Sequence, residues 1–225
     1  MLDVTTMFWI VSVISITLGL CMLVASSSEE TSSLRDFSFA NICHGLGYFS
    51  FLMSKPYGSK FIWLGETLIS ISISTWMLGI LQFLNARKYP AVRYLIVFAV
   101  SVVSFFFTER RDVRIVFNSS CYVVVELILM IIIYAEWRKV YGLGKYLVAF
   151  SIAMNISILS YRVLFTLINR KSVRFINATD ISQSILYTSV LVSLTCLSIG
   201  FVLMLKEKTD WLNKESILRD GLTGL

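Results

Sequence analysis

Residues 183–205 read QSILYTSVLVSLTCLSIGFVLML, a run with no Asp, Glu, Lys, Arg or His in it. A helix crosses the roughly 30 Å hydrocarbon core of a bilayer with about 20 apolar residues, each rising about 1.5 Å, and this run is long enough. Outward from it, further stretches share its character: 6–26, 37–54, 61–84, 91–108, 114–135 and 145–168. Lipid offers no partner to a bare amide or carbonyl, so runs of this length satisfy their own backbone as helices. The expected fold is all-α: a polytopic membrane protein whose seven-transmembrane-helix bundle occupies residues 1–205. The second stretch is the most polar, diluted by Asn41, His44, Gly45 and Gly47, and the fourth is short.

Composition agrees. Hydrophobic residues make up 56% of the 225, above the roughly 45–50% of soluble domains, and the mean hydropathy is +0.76. Charged residues, 15% of the chain, gather between apolar runs, as at Arg87-Lys88, Glu109 to Arg114, Arg138-Lys139 and Arg170-Lys171. The net charge of +6 comes from basic residues that flank apolar runs instead of forming one stripe. That favours anchoring at a lipid bilayer over nucleic-acid binding. Cys21, Cys43, Cys121 and Cys196 lie inside apolar stretches at wide spacing, which fits neither a disulfide framework nor a metal site. Asp3, with no Lys or Arg near it, is the wrong charge for a cleaved leader, so the first stretch is expected to stay as a helix. Seven crossings put the termini on opposite sides. Basic residues divide almost evenly between the two sets of links and do not decide which side is which.

Beyond Leu205 the chain turns charged, free of Gly and Pro through Arg219, and helix-compatible. Met204, Trp211 and Leu218 recur at heptad spacing, which suits a short parallel coiled coil acting as a signalling connector over 206–219. A solvated linker is the other reading. The last residues are Asp220-Gly221-Leu222-Thr223-Gly224-Leu225.

This ending resembles the D-x-L-T-G-L opening of the GGDEF diguanylate cyclase domain, and it stands directly after a charged connector, where that family places it. Gly200 to Met204 followed by Glu207-Lys208 resembles the end of the seventh helix in seven-helix GGDEF receptors. Trp63, Gly79, Gln82-Phe83 and Arg87-Lys88 likewise resemble their third helix. The resemblance implies a sensor in the bacterial inner membrane, N-terminus outside and C-terminus cytoplasmic, with residues 220–225 opening a truncated cyclase domain. It further implies a homodimer, since each output domain holds one GTP and two are joined to make cyclic di-GMP. The family's catalytic and metal-binding residues would lie beyond Leu225. The chain is therefore expected to carry no catalytic residue, metal or cofactor itself, with GTP and Mg belonging to the missing domain.

Rival classes fare worse. A retinal receptor needs a lysine in its seventh helix, and residues 183–205 hold none. A small-molecule transporter often shows repeats and broken helices, whereas no repeat is visible here and both prolines, Pro56 and Pro90, fall in links. It stays an alternative, with a stand-alone structural membrane protein.

Ionisable groups within membrane helices are costly unless paired or hydrated, and so mark candidate sites. His44, Glu66, Glu126 and Arg162 are such groups. Glu66 and Arg162 match in depth and are expected to pair, while His44 and Glu126 lie deeper. Asn155, with Asn41, Gln82 and Asn118, adds hydrogen-bonding capacity. His44, Glu66, Glu126, Asn155 and Arg162 are expected to line an outward-facing pocket for a small-molecule ligand from the periplasmic or membrane side. The alternative is structural: Glu66 and Arg162 tie two helices together and His44 is a hydrogen-bonded packing residue. Ser70, Ser72 and Ser74 suit close helix packing, and Phe105 to Phe107 a lipid-facing belt. No nucleophile–base pair, phosphate loop or HExxH motif occurs.

Overall fold

The structure, a computed structural model, describes residues 3–26, 32–84, 90–137, 140, 142–168 and 181–223. Among these are seven helices and no strand: α1 Val4–Ala25, α2 Ser32–Tyr57, α3 Lys60–Phe83, α4 Pro90–Phe106, α5 Arg111–Ala135, α6 Gly144–Ile168 and α7 Ile181–Thr223. Every expected apolar stretch lies on one of them. Five of the helices are long and apolar enough to cross a membrane: α1, α3, α5, α6 and the Ile185–Leu218 part of α7. α2 is long but polar, and α4 is 17 residues.

Local chemistry sets the ends. The Asp3 carboxylate accepts from the Thr6 amide (2.6 Å) and caps α1. The two prolines are not in links. Pro56 sits in the last turn of α2 and Pro90 is the first residue of α4, a position that needs no amide donor and favours the fixed φ of proline. After Pro56 the chain reverses at Gly58, whose φ of +98° suits glycine.

Each helix packs on the next in sequence, and α7 returns against α1 to close the ring. Small residues set the closest crossings. A Cβ on Gly144 would stand 2.6 Å from the Gly200 carbonyl oxygen, and one on Gly200 3.0 Å from that of Gly144, so α6 and α7 touch backbone to backbone. Farther along the same pair, the Ser151 hydroxyl donates to the Ser193 carbonyl (2.7 Å) and the Ser193 hydroxyl to that of Ser151 (3.1 Å). In the centre, Phe201 of α7 stacks on Phe37 of α2 at 4.1 Å.

The polarity runs inside-out relative to a soluble protein. Val24, Leu95, Phe98, Ile131 and Ile168 are exposed, while Ser12, Ser38, Asn41, Ser70, Ser119 and Ser198 are buried. This arrangement suits apolar surroundings, where polar side chains find partners only between helices. It also explains α2. Its diluting residues Asn41, His44, Gly45 and Gly47 are all buried against its neighbours. Phe105 and Phe106 are exposed, as a lipid-facing belt requires.

Past Leu205, α7 does not break. It continues as helix through the whole of 206–219. Met204 is buried in the bundle, and Trp211 and Leu218 are exposed on the tail. Gly224 and Leu225 lie outside the described residues, as do the side chains of Asp220, Leu222 and Thr223.

Candidate functional site

Two chambers meet inside the bundle. The inner one, about 80 Å³, is lined by His44, Glu66, Glu126, Asn155 and Arg162, the five residues expected from the sequence, together with Tyr48, Trp76, Tyr122, Tyr187 and aliphatic side chains. The outer one, about 230 Å³, lies at the end where α1, α3, α5 and α7 begin. Its walls include Thr5, Phe8, Lys55, Glu66, Arg111, Arg114, Arg162 and Tyr187. Phe51, Glu66, Arg162 and Tyr187 belong to both and form the neck between them.

Helix geometry explains the convergence. Glu66 is on the second turn of α3 and Arg162 two turns before the end of α6, so both stand at the same depth. Glu126 and Asn155 approach from α5 and α6, where the Asn155 amide donates to the Glu126 carboxylate (3.2 Å). His44 comes from the middle of α2. Its Nδ1 is 3.4 Å from the Ser15 hydroxyl, which itself donates to the Val11 carbonyl (2.6 Å). With that hydroxyl hydrogen engaged at Val11, the contact is a hydrogen bond in the tautomer that carries its proton on Nδ1. The His44 ring lies 5.0 Å from the rings of both Tyr48 and Trp76.

The expected partner of Glu66 is corrected. Its ion pair is with Arg114 of α5, Nε to Oε1 at 3.6 Å, with both side chains buried. Arg114 Nη1 also donates to the Thr108 carbonyl (2.8 Å) just past the end of α4, so one guanidinium ties α5 to α3 and to α4. Arg162 shares the chambers with Glu66 but forms no ion pair with it. Three auxiliary residues also sit elsewhere. Asn41 bonds Met22 and Ser198 in another layer of the bundle, Gln82 is exposed, and the Asn118 amide donates to Ser104 (3.0 Å) between α4 and α5.

Arg111, Arg114 and Lys55 were not anticipated as chamber residues, because in the sequence they look like charges flanking apolar runs. The signal was present in the spacing. Arg111, Arg114, Asn118, Tyr122 and Glu126 recur at helical intervals and define one polar stripe along α5. Inside the chambers some polar atoms make no hydrogen bond. The buried indole Nε1 of Trp76 and the Nε of Arg114 make no hydrogen bond, and among the described residues neither Arg111 nor Arg162 forms a side-chain hydrogen bond or an ion pair. No cluster of potential metal ligands occurs among the described residues.

A second polar assembly closes the opposite end. The Glu207 carboxylate of α7 accepts from the amides of Leu143 (2.6 Å) and Gly144 (3.2 Å) at the start of α6. The Lys208 ammonium donates to the Phe83 carbonyl at the end of α3 (3.3 Å) and sits 4.9 Å over its ring. Lys145 donates to the carbonyls of Trp137 (3.3 Å) and Val140 (2.8 Å) after α5. Neither family models, nor curated proteins, nor solved structures match this chain.

Proposed function

We propose that this chain is the membrane sensor half of a homodimeric diguanylate cyclase. All seven helices cross a bacterial inner membrane, the N-terminus and the outer chamber face the periplasm, and α7 enters the cytoplasm. The observation that carries this reading is α7 itself. One unbroken helix lines the inner chamber at Leu186, Tyr187 and Val190, passes the core at Phe201 and Met204, and runs on toward the D-x-L-T-G-L ending. At 43 residues it is about 65 Å long. A ligand that shifts α7 in the chamber moves its far end with it.

Other features support the reading. At 26 residues α2 is about 39 Å long, and with its polar side chains turned inward it can cross despite its composition. Leu212 and Leu218 are exposed on the emerging tail, as pairing of two connectors needs. GTP and Mg are used by the domain that the resemblance places beyond Leu225, and no residue here is assigned to them.

Topology reporters fused at Leu225 and within the 85–89 link should both report cytoplasm. A periplasmic signal at Leu225 overturns the topology and the cyclase reading together. In the gene carried on through its output domain, inserting two residues between Lys208 and Trp211 turns the tail by about 200°. Cyclic di-GMP production should then change, whereas a seven-residue insertion should nearly preserve it. Equal responses to both insertions sink the register mechanism.

A further inference from the structure

We propose that the chambers bind a small organic anion, its acid group held by the arginines of the outer chamber and one end of its body reaching into the inner one. This rests on the reading of the chambers as a ligand site and adds the class of ligand.

Charge balance is the first ground. Lys55, Arg111, Arg114 and Arg162 converge on the outer chamber, drawn from α2, α5 and α6, and Glu66 is the single carboxylate among its described lining residues. That carboxylate is engaged by Arg114. Lys55 donates to Thr5 (2.8 Å), a neutral partner. Arg111 and Arg162 have no carboxylate of their own among the described residues. Holding the buried Arg114 and the half-buried Arg111 and Arg162 around the one described lining carboxylate is unfavourable unless a further anion joins them. A guanidinium presents a planar fork that matches carboxylate and phosphate oxygens, so an acid group is the natural guest and a cationic ligand is excluded by repulsion.

The second ground is the inner chamber. Trp76, only 4% exposed, lines it with an indole N–H that has no acceptor. Buried indole donors are ordinarily satisfied, so an acceptor atom on the ligand body fits here. Ile69, Ile73 and Leu159 supply apolar wall. Size sets the third limit. An apolar cavity of about 150 Å³ takes up benzene, so the outer chamber of about 230 Å³ holds a benzoate-sized acid, while the inner one, about 80 Å³, has room only for a short end of the ligand. The same acid chemistry could come from a soluble organic acid or from the head group of an anionic lipid.

The test uses the chain reconstituted in phosphatidylcholine nanodiscs, with thermal unfolding followed against benzoate, inorganic phosphate and neutral benzamide. Benzoate should raise Tm in a saturable way, phosphate should compete with it, and benzamide should do little. Arg111→Gln should weaken the apparent benzoate affinity about tenfold, as loss of one charge-assisted contact implies. Lys55→Gln, at the exposed rim, should weaken it less, and it carries the test if the arginine variant does not fold. Nanodiscs containing phosphatidylglycerol separate the sources: a raised Tm that erases the benzoate response identifies a lipid head group. No Tm response to benzoate, phosphate or phosphatidylglycerol overturns the proposal, as does an unchanged benzoate affinity in both variants. Stabilisation by benzamide alone keeps the ligand site and overturns the anionic class.

Discussion

The two ends of this bundle hold charges in opposite ways. At the end where α7 leaves, each charge named above meets a helix terminus of the complementary sign. Glu207 takes the free amides at the start of α6, Lys208 takes a carbonyl at the end of α3, and Lys145 takes carbonyls just past the end of α5. Those termini carry orphan hydrogen-bonding groups and partial charge, so the arrangement is self-satisfying. At the end where α1 begins, cations face a chamber instead, and among the described lining residues one buried carboxylate, Glu66, answers for one of them, Arg114. The closed end has these charges satisfied, and the open end has something left to bind. Under the sensor reading proposed above, that difference would give receiving to one end and relay to the other.

The sharpest way to break this contrast is at the one compensated pair of the open end. Glu66→Gln leaves the buried Arg114 guanidinium without its carboxylate, an arrangement that typically costs about 3–5 kcal/mol. Folded yield in detergent and Tm should both fall steeply. The double change Glu66→Gln with Arg114→Gln should recover much of that loss, because the orphaned charge is gone. Strictly additive losses would show that the 3.6 Å contact carries no coupling. Arg162→Gln serves as the contrast and should not be rescued by Glu66→Gln.

The next test loosens the closed end. Glu207→Gln keeps the shape and one acceptor but removes the charge that faces the first amides of α6. A loss of about 1 kcal/mol is expected. Its signature is local: amide exchange should quicken at Leu143 and Gly144 while the inner chamber residues stay protected. Quickening across the whole of α6 would mean that Glu207 holds the helix in the bundle instead of closing its end.

How far the sequence foretold all this follows from what each feature depends on. Helix positions depend on local apolar runs, and every expected segment lies on an observed helix, the boundaries shifting by a few residues at most helix ends. Four of the five chamber residues were legible because an ionisable group in an apolar run is conspicuous wherever it faces, and the fifth, Asn155, because a side-chain amide stands out there too. The partner of Glu66 was not. Starting α5 at Arg111 instead of 114 puts Arg114 on the first turn, inside the bundle, where a flanking charge had been expected. Glu207 and Lys208 were invisible for the opposite reason. They look like any solvated pair on a charged helix, and only the fold brings the ends of α3 and α6 within their reach.

The smallest expected effect lies at the rim of the open end. Asp3 caps α1, and the residues it orders, Val4 and Thr5, form part of the outer chamber wall. Its carboxyl is held below the ordinary value of 3.8, first by the hydrogen bond from the Thr6 amide, then by the Thr6 side chain. Lys55, which bonds Thr5, lowers it further from α2. Because the folded-state value is the depressed one, the capping contribution is complete above the unfolded value and fades as pH falls through the folded one. Thr6 amide exchange, compared with that of a mid-helix amide in α1, should therefore show its protection at neutral pH and lose it in acid. The Asp3→Asn variant, which caps without charge, should keep Thr6 protected across the same pH range. If the wild-type chain and the Asp3→Asn variant lost protection together, the rim would be ordered by the Lys55–Thr5 contact and not by the cap. The open end would then owe its shape to packing between α1 and α2 alone.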